Sequence, residues 1–210
     1  LYDVPEKPLE ISGKDTVEFL ERIFTRTIND QKILHARYAI ACNHEGGIIM
    51  DGVLIRLATD KFWYIHANGD FETWLLANST NLNVCIRDPK SWAIQIQGPN
   101  ALKPLKSASP KIDLSNFKYF NALFLDFNGQ TFLTSRTGWT GELGFEIYTN
   151  GPTDDNLGLW DYLMKKGSEY GILTGGLDSM GIRRIEAGIL DYGTDMNRSN
   201  NPFEMGLGRL

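Results

Sequence analysis

The sequence predicts an α+β fold built from two similar strand-rich halves with helices on their outer faces. Three observations lead there. Short runs of β-branched and aromatic residues alternate with glycine-marked reversals, the pattern of antiparallel hairpins. Some of these runs are followed by segments with apolar residues three and four apart, as in amphipathic helices. A strand–glycine–helix unit also recurs: Ile11, Gly13, Val17 and Leu20 have counterparts in Ile96, Gly98, Leu102 and Leu105 at a constant offset of 85 positions. A fixed offset of this kind is the sign of internal duplication. The halves are expected to span residues 1–88 and 89–210, packed about a pseudo-twofold axis with a ligand between them.

Leu9 to Ile11 reads as a strand. Asp15 with Glu18 three residues on reads as a capping box opening a helix, whose Val17, Leu20, Ile23 and Phe24 face a core. Arg37 to Cys42 and Ile48 to Leu57 form a hairpin about Gly46-Gly47, which supplies the positive φ of a tight reversal. Phe62 to His66 is a third strand, Asn68-Gly69 turns the chain, and Phe71 to Ala77 is helical. In the second half, a hairpin between Phe117 and Leu133 turns at Asn128-Gly129. A strand from Phe145 to Thr149 then leads through Asn150-Gly151 to a helix with Trp160 and Leu163, echoing the strand, Asn-Gly and Trp74 helix of the first half. A last helix runs from about Gly176 to Ala187.

At 210 residues, 42% of them hydrophobic and 22% charged, the chain has the composition of a folded globular protein. A net charge of −5 with no concentration of Lys or Arg argues against a nucleic-acid partner. The apolar runs fall well short of the roughly 20 residues that span a bilayer. Two cysteines, Cys42 and Cys85, do not read as a disulfide framework and suit a reducing compartment. The chain starts on Leu without a signal-peptide pattern and stops at Gly208-Arg209-Leu210 without a polar tail, so the natural chain is expected to continue beyond both ends. His35, His44 and His66 lack ligand spacing, and no metal site is expected.

Three segments carry candidate chemistry. Between Gly138 and Glu146, glycines free the backbone beside Trp139, and Glu146 stands within the apolar strand Phe145 to Tyr148. A carboxylate there points either to water or to paired N–H donors of a flat heterocycle stacked on the indole. Asp51 follows the double-glycine turn in an otherwise apolar strand, where an Asp either caps a backbone N–H or acts on a ligand. Arg183-Arg184-Ile185-Glu186 sets two cations on one helix, one a surface charge and the other free to reach an anion.

With these segments in hand, the sequence resembles the tetrahydrofolate-dependent aminomethyltransferase family, the glycine cleavage system T-protein. The resemblance runs along almost the whole chain in eight ordered blocks. They are Ile11 to Asp15, Tyr38 with Asn43, Gly46-Gly47 with Asp51, Ile96 to Pro99, Ser135 to Glu142, Gly144 to Ile147, Arg184 to Gly188, and Asn201 to Glu204. It implies a T-protein-like folate-binding domain, without the C-terminal β-barrel that family members carry. It also implies tetrahydrofolate as cofactor: Glu146 on the pteridine edge, Trp139 where the family usually has Tyr, Tyr38 and Arg184 at further ligand contacts, and Asp51 as the catalytic residue near the reactive end. Asp51 and Glu146 are then expected to approach a common cavity.

The implied activity is transfer of a methyl or methylene unit from a small amine or sulfonium substrate to N5 of tetrahydrofolate, in the cytoplasm of a bacterium or the mitochondrial matrix of a eukaryote. A lipoyl carrier protein is a possible partner, and neither nucleic acid nor membrane is expected. Met50-Asp51 replaces the two adjacent acids of the glycine-cleavage enzyme, and with Asn201 to Glu204 it looks more like the dimethylsulfoniopropionate demethylase branch. A sulfonium or ammonium donor would be drawn to aromatic faces such as Trp63 or Tyr38. The alternatives are a non-catalytic folate-binding accessory protein or the folate module of a larger oxidase. The accessory relatives carry a Lys-Gly-Cys motif, whereas residues 186–193 here contain no cysteine.

Overall fold

Two sheets with the same strand order organise the chain. The computed structural model describes residues 1–67, 69–113, 117–152 and 156–209, and these contain ten strands and five α-helices. They form two compact units, the first of Glu6–Pro89 with Leu190–Leu210, the second of Leu1–Pro5 with Lys90–Ile189. Relative to a division after residue 88, each terminal segment joins the unit built mainly from the other half.

In the first unit the sheet runs β3 (Ala36–Cys42), β4 (Ile48–Ala58), β5 (Lys61–His66), β2 (Lys7–Ser12), β6 (Cys85–Arg87). In the second it runs β8 (Ala122–Phe127), β9 (Gln130–Ser135), β10 (Gly144–Tyr148), β7 (Ala93–Gln97), β1 (Tyr2–Val4). All ladders are antiparallel. Helix α1 (Thr16–Ile23) follows β2 as α3 (Leu102–Ala108) follows β7, and α2 (Phe71–Asn78) follows β5 as α4 (Asn156–Gly167) follows β10. The pivot glycines match as well, Gly13 at φ 128° and Gly98 at φ 130°, a conformation that residues with a Cβ rarely adopt. The duplication inferred from the sequence is therefore structural. Its short edge strands are exchanged: β1 precedes β2 in the chain but pairs with β7, while β6 precedes β7 but pairs with β2.

One face of each sheet is the core. Leu9, Ile11, Leu54, Phe62 and Tyr64 pack with Phe19, Leu20 and Ile23 of α1 and Phe71 and Leu75 of α2. In the second unit Ile94, Ile96, Phe132, Phe145 and Ile147 pack with Leu105 of α3 and with Leu159 and Leu163 of α4. Burying each such side chain contributes about 1.5–3 kcal/mol. Because side chains alternate along a strand, the residues between these point to the face turned away from α1 and α2 or from α3 and α4. In the first unit that face carries Glu10, Tyr38, Asp51 and Trp63; in the second, Gln95, Ser135, Glu146 and Tyr148.

Asn128 (φ 56°) and Gly129 (φ 86°) form the predicted hairpin turn, two consecutive positive φ values as in a type I′ turn. The capping box is a correction. Asp15 precedes α1 but makes no cap; its carboxylate accepts from the Asn83 backbone N–H at 2.7 Å, and Glu18 pairs with Arg22 instead. A true cap appears at α2, where Asp70 accepts from Thr73 N–H at 3.0 Å. Of the expected Asn68-Gly69 turn, Asn68 lies outside the described residues, and Gly69 has φ 83°. Helix α5 (Leu177–Glu186) closes the second unit, and no helix among the described residues is long and apolar enough to cross a membrane.

Candidate functional site

The first-unit site begins with strand register. On β3 and β4, Tyr38 is opposite Val53 and Ile40 is opposite Asp51, which makes Tyr38 and Asp51 diagonal neighbours on one face. The Tyr38 hydroxyl donates to Asp51 Oδ2 at 2.7 Å. Burial pushes the Asp51 carboxyl up to about 6, the Tyr38 hydrogen bond works against that shift, and the nearby negative charge of Asp191 adds to it. The Tyr38 phenol is in turn held well above its ordinary value, by burial first and then by Asp51. Met50, the neighbour where the glycine-cleavage enzyme has an acid, points to the opposite face and is buried with the α1 and α2 core.

Asp191 arrives there because residues 190–210 return to this unit. Ile48 N–H donates to Asn200 O at 2.9 Å, and Met196 is buried against Ile40 and Ile48, with Tyr38 and Tyr192 alongside. Gly47 makes this possible, since a Cβ there would collide with the Arg198 carbonyl. The preceding turn is held by Asn43, whose Oδ1 accepts from Glu45 N–H at 3.0 Å and Gly47 N–H at 2.8 Å. Gly46, at φ 86°, supplies the reversal.

In the second unit Glu146 is 5% exposed and lies between Gln95 on β7 and Ser135 on β9, directly opposite both. Gln95 Nε2 donates to Oε1 at 2.6 Å. Oε2 accepts from Tyr148 OH at 2.9 Å, from Ser135 Oγ at 3.3 Å and from the Thr137 hydroxyl. Burial raises the Glu146 carboxyl above its usual range, against the lowering effect of the three hydroxyls. No cation is among these partners, so among the described residues the acid is held by neutral donors.

The glycine-dense loop after β9 wraps one amide. A Cβ at Gly138 or Gly144 would strike the Gln97 side chain, and Thr140 Oγ1 donates to Gln97 Oε1 at 2.8 Å. Gly141, at φ 71°, lies where a Cβ would strike Ala187 just beyond α5. Trp139, on this loop, stacks under Arg184, whose guanidinium carbon is 5.3 Å from the ring centroid, a cation–π contact. The helical phase of α5 settles the roles of its two cations. Arg184 is 6% exposed and also donates to Ile189 O at 3.3 Å, whereas Arg183 is exposed and pairs with Glu186 at 3.4 Å.

The structure thus brings Tyr38 together with Asp51 in one unit, and Trp139 together with Arg184 in the other, where Glu146 has its own cluster of partners. Sequence reasoning missed Gln95, Ser135, Thr137, Tyr148 and Asp191 as partners. Ser135 and Thr137 were visible as neighbours of Trp139 in one block, and Gln95 could have been found as the counterpart of Glu10 at the repeat offset. Asp191 carries no local signal.

A duplicated α+β unit, with a buried acid on one sheet and a half-buried acid on the other, makes this a repeated α+β domain with candidate binding groups on both sheets. The chain belongs to the GCVT N-terminal domain family, whose model matches residues 3–210. It is 32% identical over 214 residues to an aminomethyltransferase of Pseudothermotoga lettingae, covering 99% of this chain and 58% of that protein. It is 30% identical over 213 residues to the dimethylsulfoniopropionate demethylase DmdA of Ruegeria pomeroyi, covering 100% of this chain and 57% of that protein. The chain therefore spans less than three fifths of either relative. The glycine cleavage system aminomethyltransferase T of Bartonella henselae shares the fold, with a TM-score of 0.84 at 24% identity over 96% of this chain and 54% of that one.

Proposed function

We propose that the whole protein is a tetrahydrofolate-dependent one-carbon transferase, moving a methyl or methylene unit from a small amine or sulfonium substrate to N5 of tetrahydrofolate. The observation that carries this reading is Asp51, a half-buried carboxyl raised to about 6 on the sheet face turned away from α1 and α2, in a chain whose relatives are named aminomethyltransferase and dimethylsulfoniopropionate demethylase. The chemistry of the second unit fits a reduced folate. Glu146 supplies acceptors for the N–H edge of a pterin, and the hydroxyls of Ser135, Thr137 and Tyr148 can turn away to admit competing donors. Trp139 offers a flat apolar surface, and Arg184 a cation for the carboxylates of the folate tail.

Tetrahydrofolate supplies the nitrogen that accepts the one-carbon unit. Asp51, ionised above about pH 6, would stabilise positive charge on that nitrogen and would take up the proton it sheds. Tyr38 fixes the carboxylate through its hydroxyl bond to Oδ2. Burial, with the charge of Asp191 adding to it, keeps the Asp51 carboxyl raised, so at neutral pH the acid is mostly ionised yet basic enough to take a proton. Glu146 and Arg184 bind and orient. An aminomethyl donor would arrive on a lipoyl carrier protein, and a cytoplasmic or matrix setting suits the free thiols of Cys42 and Cys85.

The test is a split between binding and transfer in the full-length protein. Glu146→Gln is expected to weaken reduced-folate binding about ten- to a hundredfold by calorimetry. Asp51→Asn is expected to bind folate normally but to slow single-turnover transfer about a hundredfold or more. An Asp51→Asn protein that transfers at the parental rate with folate saturating would make this a non-catalytic folate binder.

A further inference from the structure

We infer that Gln95 is a second ligand-recognition residue beside Glu146, its side-chain carbonyl accepting an N–H from the same ligand edge. The site then takes a group with two neighbouring N–H donors, such as the 2-amino and ring N3–H of a pterin. This rests on the folate-binding reading above and adds to it a residue and a specificity.

The argument starts from the ladder. Gln95 is directly opposite Glu146 on adjacent strands, so both side chains stand on the same face of the sheet. The amide is oriented by its 2.6 Å bond from Nε2 to Glu146 Oε1. Turned the other way, its carbonyl would face the carboxylate, oxygen against oxygen. With the nitrogen committed, Oε1 is the atom left over. Gln95 is fully buried, and this oxygen has no hydrogen-bond partner among the described residues. Folded proteins pair the great majority of such atoms. The hydroxyls nearest in the cluster, Ser135, Thr137 and Tyr148, are all engaged with Glu146.

The other repeat shows what a self-sufficient version looks like. The counterpart of Gln95 is Glu10, opposite Trp63 on the equivalent strand pair. Both its oxygens are filled from within the chain, Oε1 by Arg87 and Oε2 by Lys61 and Trp63. Of these two rows, the Glu146 row alone keeps a buried acceptor unfilled among the described residues, and that acceptor lies beside a carboxylate with no cation among its partners. Two acceptors side by side complement two N–H donors flanking one ring carbon, the arrangement that gives bidentate recognition its specificity.

Calorimetry on the full-length protein tests this with 5-formyltetrahydrofolate and with two analogues that each remove one donor, the 2-desamino and the N3-methyl forms. Gln95→Leu is expected to keep the parental melting temperature within a few degrees and to weaken 5-formyltetrahydrofolate about tenfold. For one of the two analogues, the affinity penalty seen with the parent should largely vanish in Gln95→Leu, because the lost donor and the lost acceptor are partners. Should Gln95→Leu fail to fold, Gln95→Met carries the same comparison. Binding of 5-formyltetrahydrofolate within twofold of the parent, or analogue penalties undiminished in the variant, overturns the role of Gln95 while leaving the folate reading standing. A parent protein that binds no reduced folate at all overturns both.

Discussion

Two rows of residues cross the two sheets at equivalent positions, and they treat a buried acid in opposite ways. In the first unit the row is Ala36, Ile55, Trp63, Glu10, Arg87; in the second it is Ala122, Ser135, Glu146, Gln95, Tyr2. Each places one carboxylate on the central strand pair, but on opposite members of it: β2 in the first unit, β10 in the second. Burial alone would raise the Glu10 carboxyl, yet hydrogen bonds from Lys61, Trp63 and Arg87 bring it below its ordinary value. Glu146 is raised by burial, because its partners are hydroxyls and an amide. A buried acid neutralised by fixed cations is complete without a ligand. One held only by neutral donors retains an unmet electrostatic demand, and such sites tend to be functional. The duplication thus supplied one frame twice, with a strut in one copy and a candidate binding group in the other.

The strongest way to break this comparison is to remove the strut. Glu10→Ala leaves Lys61, Arg87 and the Trp63 N–H without their acceptor and is expected to cost about 3 kcal/mol of stability, tempered by the solvent that reaches both cations. Denaturant unfolding of the 210-residue chain measures it. A loss below about 1 kcal/mol would mean that Glu10 is not structural.

A finer test uses the sign of the pH dependence. Glu10 is depressed in the folded state, so its contribution is present above the unfolded carboxyl value and disappears as pH falls through the folded one. Glu146 is raised, so its contribution is present at low pH and disappears as pH rises through the folded value. The stability deficit of Glu10→Gln should therefore shrink on acidification from pH 7 toward pH 3. Glu146→Gln should match the parent in acid and exceed its stability by about 1 kcal/mol at pH 8. Parallel pH profiles for the two variants would contradict the assigned partners.

The smallest expected effect concerns Asp51. Transfer by the full-length protein should fall as pH drops through about 6, where the carboxylate protonates. Tyr38→Phe removes the hydrogen bond that favours the ionised form, and should move that midpoint upward by about one pH unit. A midpoint left in place would show that Tyr38 does not hold the carboxylate during turnover.

What could be read from the sequence was local. The Asn128-Gly129 hairpin, the reversal at Gly46, the strand–glycine–helix repeat and the placing of Asp51 and Glu146 on strands all follow from φ preferences and side-chain period among near neighbours. Tertiary structure decided the rest. Strands β1 and β6, three residues each, are too short for periodicity to show, and only pairing with a distant partner makes them strands. Asp15 has the residue type of a cap, but the Asn83 N–H, 68 positions away, competes for its carboxylate and wins. Arg183 and Arg184 are indistinguishable as residue types; helical phase buried one against Trp139 and left the other in water. The neutral ring of donors around Glu146 and the charged one around Glu10 depend on which side chains the ladder register sets opposite one another. That register is fixed by the summed burial of whole strands, and no single residue's neighbours in sequence contain it.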